Sequence, residues 1–275
     1  MSEVVISIEG LEKSYGTKKI LKGVDMHINK GDLYGVIGKN GAGKTTLFKT
    51  ILGLSKFDGG KISILGGKDE SENRINRKNI GFFVGVNFYD YLNGRENLHY
   101  FRRLKGIEDE KEVDRVLELV GLDNDAAKVA AKKYSLGMKQ RLGIANAMLG
   151  NPDILIFDEP TNGLDPQGIH DIRTMFKRLN EEEGKTIIVS SHILSELEHT
   201  ADRFGIIHEG VVMKELSPED FSEHQETISI NISASDADKA SKLLVDNGIN
   251  ILGTERTKVS LEDYYFDLIG GGEDA

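Results

Sequence analysis

Gly38-Lys39-Asn40-Gly41-Ala42-Gly43-Lys44-Thr45 is the stretch that decides the fold. It fits G-x-x-x-x-G-K-[ST], a pattern whose glycines let backbone N–H groups curl around phosphate oxygens. The pattern has meaning only between a strand and a helix, and both are present. Leu33–Ile37 (LYGVI) reads as a strand, and Thr45–Leu52 reads as a helix closed by Gly53. The helix would turn its positive N-terminus toward the same phosphates. Lys44 is then the cation for the β/γ-phosphates and the Thr45 hydroxyl a ligand for Mg²⁺, with Thr46 next in the helix.

Working outward, Ile154–Phe157 is a short, wholly apolar run, the pattern of a strand buried on both faces. Asp158 and Glu159 follow it. In a parallel sheet the carboxyl ends of the strands line the ligand crevice, so both acids would emerge beside the phosphates. Asp158 suits Mg²⁺ binding, and Glu159 suits polarising a water. Around these lie strands at 4–8, 24–28 (with a turn at Tyr15–Gly16) and 186–190, with paired strands around 204–213. Helices are expected at 95–105, 110–120, from a Ser135 cap to Leu149, at 167–182 and near 193–199. Strands alternating with helices predict an α/β core with a largely parallel sheet. A polar stretch with Pro218 marks a boundary near 215–225. Beyond it, strands at 227–233 and 249–252 and helices at 236–247 and 261–269 would make a small α+β appendage.

Composition narrows the field. The 275 residues contain no Cys, which removes disulfides, thiolate metal sites and thiol catalysis and fits a reducing compartment. The net charge is −10, and it is localised: residues 215–275 hold 14 acidic and 4 basic side chains, leaving 31 of each in the first 214. Neither part is basic enough to hold duplex nucleic acid, so no nucleic-acid partner is expected. The opening MSEVVISIEG reads as no secretory signal, and no apolar run approaches the roughly 18 residues of a membrane span.

Further motifs carry a family resemblance. Tyr134-Ser135-Leu136-Gly137-Met138-Lys139-Gln140-Arg141 resembles the signature motif of ABC-type ATPases, with Leu in place of its first Gly. Pro160-Thr161-Asn162-Gly163-Leu164-Asp165-Pro166 resembles that family's D-loop. Ser190-Ser191-His192 resembles its switch histidine, and Tyr15 the aromatic that stacks on adenine. The order and spacing cover residues 1 to about 215, and the sequence looks closest to the bacitracin and lantibiotic resistance branch. The resemblance implies a P-loop NTPase core over 1–215, with an antiparallel N-terminal β subdomain and a helical subdomain at about 87–150. Residues 216–275 would be an acidic C-terminal extension. It also implies ATP and Mg²⁺ as ligands and a head-to-tail homodimer or heterodimer of ATPase subunits. In that dimer Ser135 and Gly137 of one copy would close over the nucleotide held by the Lys44 loop of the other, Asp165 would link the two sites, and His192 would sense the γ-phosphate. The chain would act on separate membrane-spanning subunits, with residues 87–122 as the docking surface, and sit at the cytoplasmic face. Rival readings are a catalytically impaired nucleotide-sensing module and a soluble ATPase outside transport.

One element departs from the family pattern. After Ile80-Gly81 the family has a Gln or Glu touching Mg²⁺ and the water. Here the stretch runs Phe82-Phe83-Val84-Gly85-Val86-Asn87, with neither near Gly85.

Overall fold

The computed structural model describes residues 3–85, 88–198, 200–217 and 234–249, together with Asp220, Ile232 and Ile251. The chain divides into two compact units, Met1–Phe221 and Ser222–Ala275.

In the first unit, β1 (Val4–Tyr15) and β2 (Lys18–Asn29) form a long antiparallel hairpin. Gly16, at φ 59°, supplies the left-handed residue that its turn requires. Alternation places Ile6, Ile8, Leu21, Val24, Met26 and Ile28 on a fully buried face. β4 (Gly59–Ile64) pairs antiparallel with the other edge of β1, completing a three-stranded sheet. The strands at 4–8 and 24–28 are therefore found, but each is part of a 12-residue strand.

The second sheet has the order β5-β6-β7-β3-β8-β9. Its strands are β3 (Leu33–Ile37), β5 (Ile80–Phe83), β6 (Ile154–Asp158), β7 (Thr186–Ser191), β8 (Arg203–His208) and β9 (Val211–Leu216). All neighbours run parallel except β9, which returns antiparallel along β8. The expected α/β core with a largely parallel sheet is present. Every residue of β7 is buried, as a central parallel strand requires.

Helix α1 (Lys44–Ile51) leaves β3 through the glycine-rich loop. Its Leu47, Phe48 and Ile51 fill an apolar cluster with the hairpin's inner face and with Val36, Ile156 and Ile188. On the other side, α3 (Gly94–Leu104), α4 (Lys111–Leu119), α6 (Leu136–Met148) and α7 (Pro166–Glu181) pack against Leu155, Phe157, Ile187 and Val189. Phe157 and Phe176 stack with centroids 4.6 Å apart. Shorter helices are α2 (Glu70–Asn76), α5 (Asn124–Ala127) and α8 (Leu194–Glu198). Among the described residues of the second unit, α9 (Ala237–Asp246) is the helix expected at 236–247. The strands expected at 227–233 and 249–252 and the helix at 261–269 lie mainly or wholly outside the described residues.

Candidate active site

The parallel sheet brings the ends of β3, β6 and β7 to one edge. The register aligns Val36 with Ser190 and Asp158 with Ser190, so three loops emerge side by side. The loop after β3 is Gly38–Gly43. A side chain at Gly38 would run into the Ile207 carbonyl, while Gly41 and Gly43 take φ values of 84° and 114°. Glycine is thus required by crowding at one position and by backbone conformation at two others. α1 opens at Gly43 with no side-chain cap. Its N-terminal N–H groups are presented to a ligand instead of to a capping residue, as phosphate binding needs.

Lys44 is buried, and its ammonium donates to the carbonyl of Gly38 at 2.5 Å. Its Nζ also lies 3.1 Å from Glu159 Oε1. The other oxygen of that carboxylate, Oε2, lies 3.3 Å from His192 Nδ1 and 3.4 Å from the Asn162 side-chain amide that donates to it. Lys44, Glu159 and His192, read separately from the sequence, form one contiguous cluster. Glu159 has φ 49°, a left-handed conformation unusual for a residue with a side chain. Its N–H donates to Ser190 Oγ at 3.0 Å, and that hydroxyl donates to Asp158 Oδ1 at 2.7 Å.

Asp158 Oδ2 accepts from the Thr45 hydroxyl at 2.6 Å. A hydroxyl and a carboxylate converging beside a phosphate-binding loop are hard oxygen donors. They match the Mg²⁺ habit of taking few protein ligands and completing its shell with phosphate and water. The remaining loop residues Lys39, Asn40 and Ala42 surround Lys44 in sequence, and the Ala42 N–H closes the turn on the Lys39 carbonyl at 3.0 Å. Thr46 is half-buried one position further along α1.

The remaining expected residues are placed apart from this cluster. Ser135 caps α6 through the Met138 N–H at 3.2 Å, and Asp165 caps α7 through the Gly168 N–H at 2.9 Å. The two caps are neighbours, since Leu136 packs close to Gly163 and Leu164 to Gly137. Ser135 and Asp165 are both exposed, and their cap bonds stay within their own helices. Tyr15 sits half-exposed at the end of β1, its hydroxyl bonded to Ser55 Oγ at 3.1 Å and Lys13 Nζ 4.9 Å from its ring centroid. Gly85 is exposed at φ 72°, and Asn87 lies outside the described residues.

Ser190 and Asn162 stand inside motifs already quoted, yet composition assigns them no role. Strand register would have exposed Ser190, which sits directly across from Asp158. Asn162 reaches Glu159 only through the turn after β6.

Among the described residues no helix is long and apolar enough to cross a membrane. The family described as ABC transporter matches residues 21–162. The chain is 39% identical to the bacitracin transport ATP-binding protein BcrA of Bacillus licheniformis, across 98% of both proteins. It is 43% identical to the lantibiotic transport ATP-binding protein SrtF of Streptococcus pyogenes, across 77% of this chain and 90% of that one. The dimeric structure of MJ0796, a bacterial ABC transporter cassette, superposes with a TM-score of 0.69 at 29% identity, covering 77% of this chain and 98% of that one. The same cassette in a dimeric post-hydrolysis state with ADP and Pi superposes with a TM-score of 0.69. A glycine-rich strand-to-helix loop, a buried lysine and a strand-end Asp-Glu pair within the matched span carry the same conclusion: this chain belongs to the ABC transporter family, as an ATP-binding, ATP-hydrolysing subunit.

Proposed function

We propose that the Lys44–Glu159–His192 cluster is the hydrolytic centre and that it drives export through separate membrane-spanning subunits. The observation that carries this is the shared contact of Glu159 with Lys44 on one oxygen and with His192 on the other. Gly38–Thr46 cradles the triphosphate, and Lys44 leaves Glu159 to pair with the β- and γ-phosphate oxygens. Thr45 and Asp158 would hold Mg²⁺, which when bound draws charge from those oxygens. Glu159 orients the attacking water and takes up its proton as the oxygen bonds to the γ-phosphorus and the bond to ADP breaks. His192 donates to the γ-phosphate and so reports its loss. Tyr15 offers a half-exposed ring for the adenine. The retained Glu159–His192 contact favours hydrolysis over the nucleotide-sensing reading.

Ser135 and Asp165 are exposed helix caps, with Gly137 in the first turn of α6. They suit the nucleotide of a second ATPase subunit, in a head-to-tail homodimer or heterodimer. The dimeric form of the similar cassette supports that arrangement. In this reading residues 1–215 are the ATPase domain, about 87–150 its helical subdomain and 216–275 a separate acidic extension. An exposed aromatic group meets the membrane subunits. Tyr89 packs on Tyr91 and Tyr100 at 5.8 and 4.9 Å, and the buried Asn97 holds its loop through bonds to Tyr89 N, Tyr89 O and Leu92 O. The chain would thus be held peripherally at the cytoplasmic face. The names of its relatives make a peptide antibiotic the substrate class to test first.

The test is phosphate release by the full chain and by Lys44→Ala, with and without Mg²⁺. Hydrolysis that needs both supports the reading, and an undiminished rate in Lys44→Ala overturns it. Export is tested by expressing the chain with its candidate membrane subunit and measuring resistance to bacitracin and to a lantibiotic.

A further inference from the structure

Glu196, on the short helix α8, lies outside the cluster described above, yet its carboxylate joins the two loops that carry it. One oxygen, Oε2, accepts from Thr161 Oγ1 at 2.9 Å and from Ser191 Oγ at 2.9 Å. Thr161 stands two residues after Glu159, and Ser191 immediately precedes His192. The Ser191 hydroxyl also accepts from the Ile193 N–H at 3.0 Å, closing a turn around His192. The Ser191 carbonyl accepts from the Gly38 N–H at 3.4 Å, so the same residue touches the start of the phosphate loop.

A pocket of about 120 Å³ lies between these loops, bordered by Glu159, Thr161, Leu164, Ser191, His192 and Glu196. The Glu196 carboxylate spans that space with two charge-assisted hydrogen bonds, which are shorter and stronger than neutral ones. α8 is itself anchored: Leu197 is buried, and Thr200 Oγ1 bonds the Glu196 carbonyl at 2.7 Å.

We infer that Glu196 is a positioning residue for ATP hydrolysis, setting the spacing between Glu159 and His192 by tying Thr161 to Ser191. It acts through those two residues rather than on the reacting atoms. This rests on the assignment of Glu159 and His192 to the hydrolytic centre. A misplacement of the reacting groups by about 1 Å costs on the order of 100-fold in rate, and loss of this tether falls short of that.

The experiment measures kcat and KM for ATP, nucleotide affinity by a fluorescent ATP analogue, and melting temperature for the full chain. The variants are Glu196→Ala, Glu196→Gln, Thr161→Val and Glu159→Gln. Glu196→Ala is expected to lower kcat about 10-fold, with nucleotide affinity within 2-fold of wild type. Glu196→Gln keeps an oxygen that can accept both hydroxyls and is expected to recover most of the rate. Thr161→Val, a milder change, is expected to lower kcat about 3-fold and to add little to Glu196→Ala in the double variant. An unchanged kcat in Glu196→Ala overturns the proposal. So does a fall in affinity and melting temperature in step with kcat, or a full additive loss in the double variant. Should Glu196→Ala fail to fold, Thr161→Val decides: a roughly 3-fold fall in kcat at unchanged affinity supports the proposal, and an unchanged kcat overturns it. Wild-type turnover in Glu159→Gln would overturn the hydrolytic centre instead, whatever Glu196 does.

Discussion

Lys44 Nζ lies 3.1 Å from Glu159 Oε1, so the cation meant for phosphate and the carboxylate meant for water are paired with each other. Both are largely buried, which strengthens their attraction relative to a surface pair. In the proposed reading a triphosphate separates them, delivering Lys44 to the phosphates and freeing Glu159 in the same movement.

Glu159→Gln removes the charge that competes for Lys44 while keeping the shape. Phosphate release is expected to fall at least 100-fold, the scale of a lost general base, while ATP binds as tightly as in wild type or a few-fold tighter. Stopped-time phosphate assays and nucleotide titration read the two effects. Weaker nucleotide binding in this variant would contradict the competition between the pair.

Gly38 and Gly41 separate crowding from backbone conformation. In Gly38→Ala the new methyl meets the Ile207 carbonyl and side chain, which cannot yield without disturbing β8. A loss of about 1–3 kcal/mol in stability and of nucleotide binding is expected. Gly41→Ala enters open space and carries only the strain of φ 84°, about 1–2 kcal/mol. Denaturant melts and nucleotide titration of both variants check the order.

Ser190 is buried and holds Asp158 and the Glu159 N–H together. Ser190→Ala strands one buried donor and removes one from the carboxylate, for an expected cost of about 1–3 kcal/mol. The Mg²⁺ concentration for half-maximal phosphate release should rise, because Asp158 loses the bond that orients it. A melting curve and a Mg²⁺ titration measure the two consequences, and an unshifted titration would dissociate Ser190 from the cation.

Ser135→Ala tests the second-subunit face. Loss of the cap costs about 1 kcal/mol in α6. ATP-dependent dimerisation, followed by analytical ultracentrifugation, and hydrolysis should both weaken. Nucleotide binding to the single subunit should stay at the wild-type level, since the Ser135 side-chain bond lies within α6.

Glu112 predicts a pH dependence in the helical layer. Burial alone would raise its pKa, but two hydrogen bonds from Arg115, one from the Gly150 N–H and the nearby charges outweigh burial and leave it lowered. A carboxylate with a depressed folded-state pKa stabilises the fold above its unfolded pKa, and that stability is lost as pH falls through the folded value. Glu112→Gln should therefore lower the melting point at neutral pH, by about 1–2 kcal/mol of stability. The difference from wild type should shrink as pH falls past the ordinary glutamate value of about 4.3 and close only below the lowered folded one. A gap that persists at acid pH would show that the charge is not its source.

Legibility varied along the chain for physical reasons. β3, α1, β6 and α6 were plain because an apolar run, a turn and a cap coincide within a few residues. β4, β5, α2 and α5 were not anticipated. β4 opens Gly59-Gly60-Lys61 with little apolar signal, and Gly60 is there because a side chain would collide with the Gly10 backbone, a contact invisible in one dimension. The hairpin's outer halves were also missed. Their residues are largely polar, and pairing holds them, including Lys19 with Glu12 at 2.8 Å.

By itself the sequence determined the types of group available and their local frames: glycines where the loop needs them, a lysine at a helix start, two acids at a strand end, serine and aspartate as caps. Those follow from short-range sterics and periodicity, which a few consecutive residues encode. Only the tertiary structure decided which groups meet. It placed Lys44 on Glu159, Ser190 on Asp158 and Glu196 across Thr161 and Ser191, over separations of up to 115 residues. Such contacts depend on strand order and register in the sheet, which arise from the packing of the whole core and from no single stretch of chain.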